Sequence, residues 1–191
     1  MPKIVDHEEY RRTIVEKATP VFSAHGFNGL GMRQIAQELG MSKSALYHYF
    51  PSKDELFAAC TEFVVERDGA LVEADMTAAT TREKTAALME VFGEIEKGFQ
   101  GEAFLLLDYM RGKSHREVAR DKNMKLANKR YLEMIAAIVG KADAAKVLTF
   151  MLGALMQRLL DGRRTRLSDI ELWLREISEV RATPKTKRES I

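Results

Sequence analysis

Apolar residues recur along this chain at spacings of three and four, the period of a helix with one buried face, and only four prolines interrupt it. The pattern predicts an all-α protein. Its first helix opens at Asp6, where Asp6 and Glu9 stand at capping-box spacing, carries the stripe Ile14, Val15, Ala18 and Phe22, and stops at Gly26. Pro20 lies inside it and predicts a kink, because proline lacks an N–H and crowds the preceding turn. A short helix from Met32 to Leu39 follows, with Met32, Ile35, Ala36 and Leu39 on one face and Gly40 at its end. Ser42 then caps a helix from Lys43 to Phe50, closed by Pro51. Ser52 and Glu55 form a second capping box and open a longer helix with a seam at Phe57, Val64 and Leu71, beside which lie Cys60 and Phe63. Beyond the threonine-rich break at Thr77 to Thr81, helices are predicted at 82–99, 101–112, 114–139, 142–161 and 168–181.

Composition narrows the class. A chain of 191 residues with 46% apolar and 30% charged residues folds as a soluble protein, with room for a small module joined to a larger one. Its longest apolar runs, such as Phe104 to Leu107, are far too short for a bilayer, and the acidic N-terminus does not read as a signal peptide, so a cytoplasmic protein without a membrane partner is expected. The single cysteine, Cys60, agrees with a reducing compartment and reads as a small buried hydrophobe. The histidines His7, His25, His48 and His115 are far apart, which predicts no metal site. No glycine-rich phosphate loop, nucleophile elbow or acid–base pair is visible, so neither an enzyme nor a cofactor is expected. A net charge of +2 does not by itself announce a nucleic-acid partner.

Local pattern does. The two short helices, GMRQIAQELG and then MSKSALYHYF, form a helix-turn-helix candidate. Projected at 100° per residue, the second helix puts Ala45, Leu46, Tyr49 and Phe50 on one side and Lys43, Ser44, Tyr47 and His48 on the other. The first set packs; the second offers a cation, a hydroxyl, a phenol and an imidazole, which bond phosphates and base edges in a major groove. An ordinary solvated face would also carry polar residues, and the helix alone does not separate the two readings.

The stretch Gly26 to Leu56, GFNGLGMRQIAQELGMSKSALYHYFPSKDEL, resembles the signature of the TetR family of regulators: the GF turn, the IA pair, glycine–hydrophobe–serine at the turn, LYxYF, and SKxEL. The resemblance covers roughly residues 7–66 and implies a dimeric transcriptional regulator, most simply a repressor, that binds a palindromic operator and releases it on binding a small organic effector. It implies that Arg33 faces the groove, where an arginine pairs with guanine, and that Lys43 and Ser44, just after the cap Ser42, read bases. Tyr47 is implied to lie against backbone or a thymine methyl, and His48, Tyr49 and Lys53 to contact phosphates. One position departs from the family pattern. Leu30 and Gly31 stand where many members have hydroxyl residues, leaving the Gly31 N–H as the candidate phosphate donor.

The expected domains are a DNA-binding helix-turn-helix over residues 1–51 and a helical effector-binding and dimerisation domain over 52–191. In the second, the stripe from Ala144 to Leu159 looks wider than one chain can cover. Leu148, Leu152, Leu155, Met156 and Leu159, with Trp173, Leu174 and Ile177 of the last helix, are the candidate dimer interface. The methionines and aromatics of the middle helices suit either ordinary core packing or a malleable apolar pocket, which the resemblance implies. The candidate lining is Cys60, Phe63, Met89, Phe92, Phe99, Phe104, Met110 and Tyr131. The helix after Ser52 is the expected lever between effector and recognition helix. The basic stretch Arg111 to Arg130 admits a second nucleic-acid surface but reads more simply as a solvated face, since Arg116, Arg120, Lys122, Lys125 and Lys129 scatter around a single helix. The rival reading of the whole chain is a helical regulatory scaffold that keeps the helix-turn-helix as mere structure; within the same fold, an activator is the other alternative.

Overall fold

The computed structural model describes residues 7–72, 76 and 78–179. Among them the order is α1 (His7–Gly29), α2 (Met32–Glu38), α3 (Lys43–Tyr49), α4 (Lys53–Gly69), α5 (Thr81–Met110), α6 (His115–Arg120), α7 (Lys122–Val139), α8 (Lys141–Leu160) and α9 (Leu167–Glu179). Asp6, the expected cap of the first helix, lies outside the described residues. The chain divides into two compact units, Met1–Ala70 with Lys97–Arg130 and Leu71–Glu96 with Tyr131–Ile191, so the division falls inside α5 and α7.

The first unit is built on the predicted stripe of α1. Ile14, Val15, Ala18 and Phe22 are buried with Met32, Ile35 and Ala36 of α2, Leu46 and Phe50 at α3, Leu56, Phe57 and Cys60 of α4, and Tyr109 of α5. Cys60, with its Sγ 3.8 Å from the Val15 carbonyl, is a core residue, and burial pushes its thiol pKa up to about 12. The seam expected at Phe57, Val64 and Leu71 shifts: Val65 and Asp68 are buried, Val64 is half-buried and Leu71 is exposed. A heptad seam drifts off a straight helix's face, and α4 follows the 3.6-residue period instead.

Three boundaries differ from expectation, each for a local reason. The kink expected at Pro20 lies instead at Gly26, where α1 leaves helical backbone with φ 74° and ψ 171° and then continues to Gly29 rather than stopping. Hydroxyls brace the proline turn, Thr19 Oγ1 donating to the Val15 carbonyl at 2.8 Å and Ser23 Oγ to that of Thr19 at 3.2 Å. The two helices expected over 82–99 and 101–112 are the single helix α5. Gly101 does not terminate it but brings it close to α1, where a Cβ on the glycine would stand 3.4 Å from Ser23 Cβ. The helix expected over 114–139 is broken at Asp121, with φ −61° and ψ 128°. Asp121 Oδ1 accepts the Asn123 and Met124 N–H groups at 2.9 and 3.2 Å, capping α7, while Oδ2 accepts Tyr109 Oη and Lys113 Nζ, each at 2.7 Å. A side chain that satisfies backbone donors this way favours a helix start over a helix interior.

The second unit packs Leu88, Val91 and Phe92 of α5 with Met134, Ile135 and Ile138 of α7, Val147, Leu148, Met151 and Leu155 of α8, and Ile170 and Leu174 of α9. Within it, Arg158 is buried, its Nε 2.6 Å from Glu96 Oε1, and it also donates to the Thr165 carbonyl. A buried ion pair that loses one partner typically costs about 3–5 kcal/mol, so this pair keys α5 to the α8–α9 turn.

At Gly26 the φ of 74° and a Cβ position 2.8 Å from Asp108 Oδ2 leave no room for a side chain. Gly26→Ala is expected to lower unfolding free energy by about 1–3 kcal/mol or more, read from urea denaturation. A second expectation concerns acid. Burial pushes the Asp121 carboxyl up, but Lys113, Tyr109 and the Met124 N–H outweigh it and leave its pKa below the usual value. A depressed folded pKa contributes stability above the unfolded value that is lost as pH falls through the folded one, here below about pH 4. Asp121→Asn should therefore lower the thermal midpoint at neutral pH and flatten its loss in acid.

Candidate nucleic-acid interface

Ser42 starts α3 in extended conformation, and its Oγ accepts the Ala45 N–H at 3.1 Å. The same oxygen is 3.1 Å from Ser44 Oγ, so cap and neighbour share a hydrogen bond. Ahead of it, Gly40 takes φ 65° and ends α2, while the Met41 N–H reaches back to the Ala36 carbonyl at 3.0 Å. Leu46 and Phe50 are fully buried, and Ala45 and Tyr49 are half-buried. Lys43, Ser44, Tyr47 and His48 are exposed together, with Lys43 Nζ 5.4 Å from the Tyr47 ring. Tyr49 is held by α1, its ring 4.6 Å from that of His7 and 5.2 Å from that of Tyr10. His48 stands edge-on to His7 at 5.7 Å, and the Arg11 guanidinium covers the Phe50 ring at 4.6 Å. The helix thus presents a cation, a hydroxyl, a phenol and an imidazole on a surface whose position is set by two buried anchors.

The neighbouring residues divide into free and committed. Arg33 is exposed near the start of α2. The Gly31 N–H is committed: it donates to Gln34 Oε1 at 2.9 Å, which corrects the expectation that it waits for a phosphate. Lys53 has turned inward, its Nζ donating to the Phe27 carbonyl at 2.8 Å and the Leu30 carbonyl at 3.3 Å and lying 4.4 Å from the Phe27 ring centre. It satisfies the carbonyls that α1 leaves at its C-terminal end.

Sequence reasoning missed the partner of that turn. The Asn28 N–H donates to Asp108 Oδ2 at 2.7 Å, and Asn28 Nδ2 donates to the Asp108 carbonyl at 3.0 Å. The Asn28 N–H holds the Asp108 carboxyl below the usual carboxylate range. Tyr109, next along α5, packs its ring 4.9 Å from Phe27 and 4.5 Å from Phe57. Nothing local in the sequence pointed to Asp108, which lies eighty residues from Asn28.

The residues expected to line an effector pocket are dispersed in kind. Cys60 and Phe92 are core residues of different units, Phe104 is 58% exposed, and Met110 packs against the first unit's core. Phe63, Met89, Phe99 and Tyr131 are half-buried. A cleft of about 440 Å³ lies between α1 and α4, and of these residues it includes only Phe63; its floor also has Val15 and Ala59, and its rim carries Glu8, Glu9, Glu62, Glu66, Arg11 and Arg12. Among the described residues no group of three or more acidic, histidine or cysteine side chains could hold a metal, and no helix is long and apolar enough to cross a membrane.

The candidate dimer residues need correction. Leu148, Leu155 and Leu174 are 7%, 2% and 0% exposed and so serve the chain's own core. Met156, Leu159 and Ile177 are half-buried. On the outer faces of α8 and α9 stand Leu152, Leu160, Leu172 and Trp173.

Residues 14–60 match the family model of bacterial regulatory proteins, tetR family. The HTH-type transcriptional regulator PksA of Bacillus subtilis is 43% identical over 67 residues, 35% of this chain and 33% of that protein. The HTH-type transcriptional repressor Rv1474c of Mycobacterium tuberculosis is 34% identical over 89 residues, 46% of this chain and 48% of that one. The chain thus matches less than half the length of these curated relatives. A TetR-family member from Streptomyces coelicolor has the same fold at 21% identity, with a TM-score of 0.69 over 87% of this chain and 97% of that one. So does the multidrug binding protein EbrR complexed with proflavin, at 19% identity and a TM-score of 0.61 over 87% and 98%. In its helix-turn-helix, residues 14–60, the chain is thus similar to bacterial regulatory proteins of the tetR family, and around that segment it has the all-helical fold of TetR-family structures.

Proposed function

We propose that this protein is a ligand-responsive transcriptional repressor that binds a palindromic operator as a homodimer in the cytoplasm, and works by binding rather than catalysis. The observation that carries the reading is the exposed face of Lys43, Ser44, Tyr47 and His48 on a helix anchored by the buried Leu46 and Phe50. A rigidly held helix with donors of these types suits a major groove, where Lys43, Ser44 and Arg33 read bases. Tyr47, His48 and Tyr49 meet backbone or thymine methyl groups, and Ser42 sets the helix start. Lys53 takes a different part from the one expected: it holds the turn that precedes α2. Residues 1–51 form the reading module and 52–191 serve effector and partner subunit. A repressor rather than an activator is supported by the likeness to a transcriptional repressor, and a small organic effector by the likeness in fold to a multidrug binding protein. A helical scaffold without DNA binding is the competing reading, and operator binding decides between them.

With an operator selected from random duplexes, Lys43→Ala and Tyr47→Ala should each weaken binding by about 1–3 kcal/mol, roughly 5- to 150-fold in fluorescence anisotropy, with unchanged circular dichroism. Unchanged affinity in both variants, or no selectable operator, would refute the reading. Lys53→Ala should also lower the thermal midpoint, which the other two leave in place.

Dimerisation is assigned to the outer faces of α8 and α9, where Leu152, Leu160, Leu172 and Trp173 remain exposed beside Gly153, which allows close helix approach. Leu152→Glu should give a folded monomer in sedimentation velocity that no longer holds a palindromic operator. Leu155→Glu should instead fail to fold, because that side chain is 2% exposed. A wild-type protein that sediments as a monomer at micromolar concentration would sink the assignment.

A further inference from the structure

The break at Asp121 changes what the basic stretch is. On one continuous helix Arg116 and Arg120 would project opposite Lys122, Lys125 and Lys129. In the structure the first pair stands i, i+4 on α6 and the other three stand i, i+3, i+7 on α7, so the pair forms one stripe and the three lysines another. All five are exposed.

The acids within the stretch do not neutralise Arg116, Arg120, Lys122 or Lys125. Glu117 is occupied at the start of α6, its Oε2 accepting the Ser114 N–H at 2.8 Å and the Ser114 hydroxyl at 2.6 Å. Asp121 is spent on Lys113, Tyr109 and the start of α7. Nor is the stretch a loose tail. Met124, on the side of α7 away from its cations, packs against the core that contains Ile35 and Leu46, and Tyr109 belongs to that core. Asp108, three residues before Arg111, is bonded to Asn28 in the turn leading to α2. The basic stretch through Arg130 and the recognition helix therefore belong to one packed unit.

We infer that Arg116, Arg120, Lys122 and Lys125 form a sequence-independent phosphate-binding shoulder, and that its partner is the duplex backbone flanking the bases read by α3. The inference rests on the DNA-binding reading above. Exposed stripes of like charge suit a long polyanion, whereas a small anion needs a concave cradle of donors. A membrane surface needs apolar side chains beside the cations, and on α6 the only aliphatic one larger than alanine is the half-buried Val118. Once α3 holds the operator, flanking phosphates are present at high effective concentration.

The test compares the full-length protein with the variant Arg116→Gln, Arg120→Gln, Lys122→Gln, Lys125→Gln. Salt titrations are made on the selected operator trimmed to its ends and on the same operator with long flanks. The wild type should bind the flanked duplex more tightly and with a steeper salt dependence. In the variant that advantage should vanish, and the slope of log K against log salt should fall by about 0.9 for each phosphate left unneutralised, about 2–4 per protomer. Binding to the trimmed operator and the circular dichroism melt should be retained. If the fourfold variant does not fold, Lys122→Gln with Lys125→Gln should show half the effect. Equal slopes and equal flank gain in wild type and a folded variant would overturn the shoulder while leaving the DNA-binding reading intact. Absence of any operator for the wild type would overturn both. Binding of phosphatidylserine vesicles that disappears in the variant, with DNA slopes unchanged, would replace the duplex with a membrane.

Discussion

A helix of seven residues has no stability of its own in water, since nucleation costs more than so few hydrogen bonds return. The burial of Leu46 and Phe50 is therefore the interaction on which the reading surface depends: without those anchors Lys43, Ser44, Tyr47 and His48 would share a loop, not a face. Fully burying side chains of this size contributes about 1.5–3 kcal/mol each, comparable with what a base contact is worth. Two anchors are few, so the remaining polar contacts at the borders of the helix matter.

Those contacts are made by polar and charged side chains used as fastenings. Lys53 closes the carbonyl end of α1, and Asp108 accepts the N–H of the turn that Gly26 makes. Gln34 takes the Gly31 N–H and starts α2. Each satisfies a backbone group that a helix end leaves open. The second unit uses the same device in Arg158 and Glu96. A lysine in the sequence is thus not by itself a phosphate contact; Lys53 is spent internally, while Lys43 is not tied to a carbonyl or carboxylate.

The same sorting explains how a chain with a net charge of only +2 can carry strongly basic surface. Charge summed over the chain hides where the acids are used. Glu117 and Asp121 cap helices, and Asp108 holds a turn, so these carboxylates are turned to the backbone while Arg116, Arg120, Lys122 and Lys125 face solvent. The break at Asp121 then decides the direction of each stripe.

Much of this was legible in the residues alone. The all-helical class followed from spacing, the helix-turn-helix from Gly40 and the cap Ser42, and the two faces of α3 from a projection, because short-range periodicity is a property of the chain itself. What the tertiary structure decided were the matters that depend on distant partners. Gly101 became a close approach to Ser23 instead of a helix end, and Asp121 a cap because Tyr109 and Lys113 met it. Lys53 was drawn into the α1 turn, and Leu148, Leu155 and Leu174 into the chain's own core. A sequence states which groups want burial or a partner; only the packed fold says which partner, across eighty residues in the case of Asn28 and Asp108, is close enough to supply it.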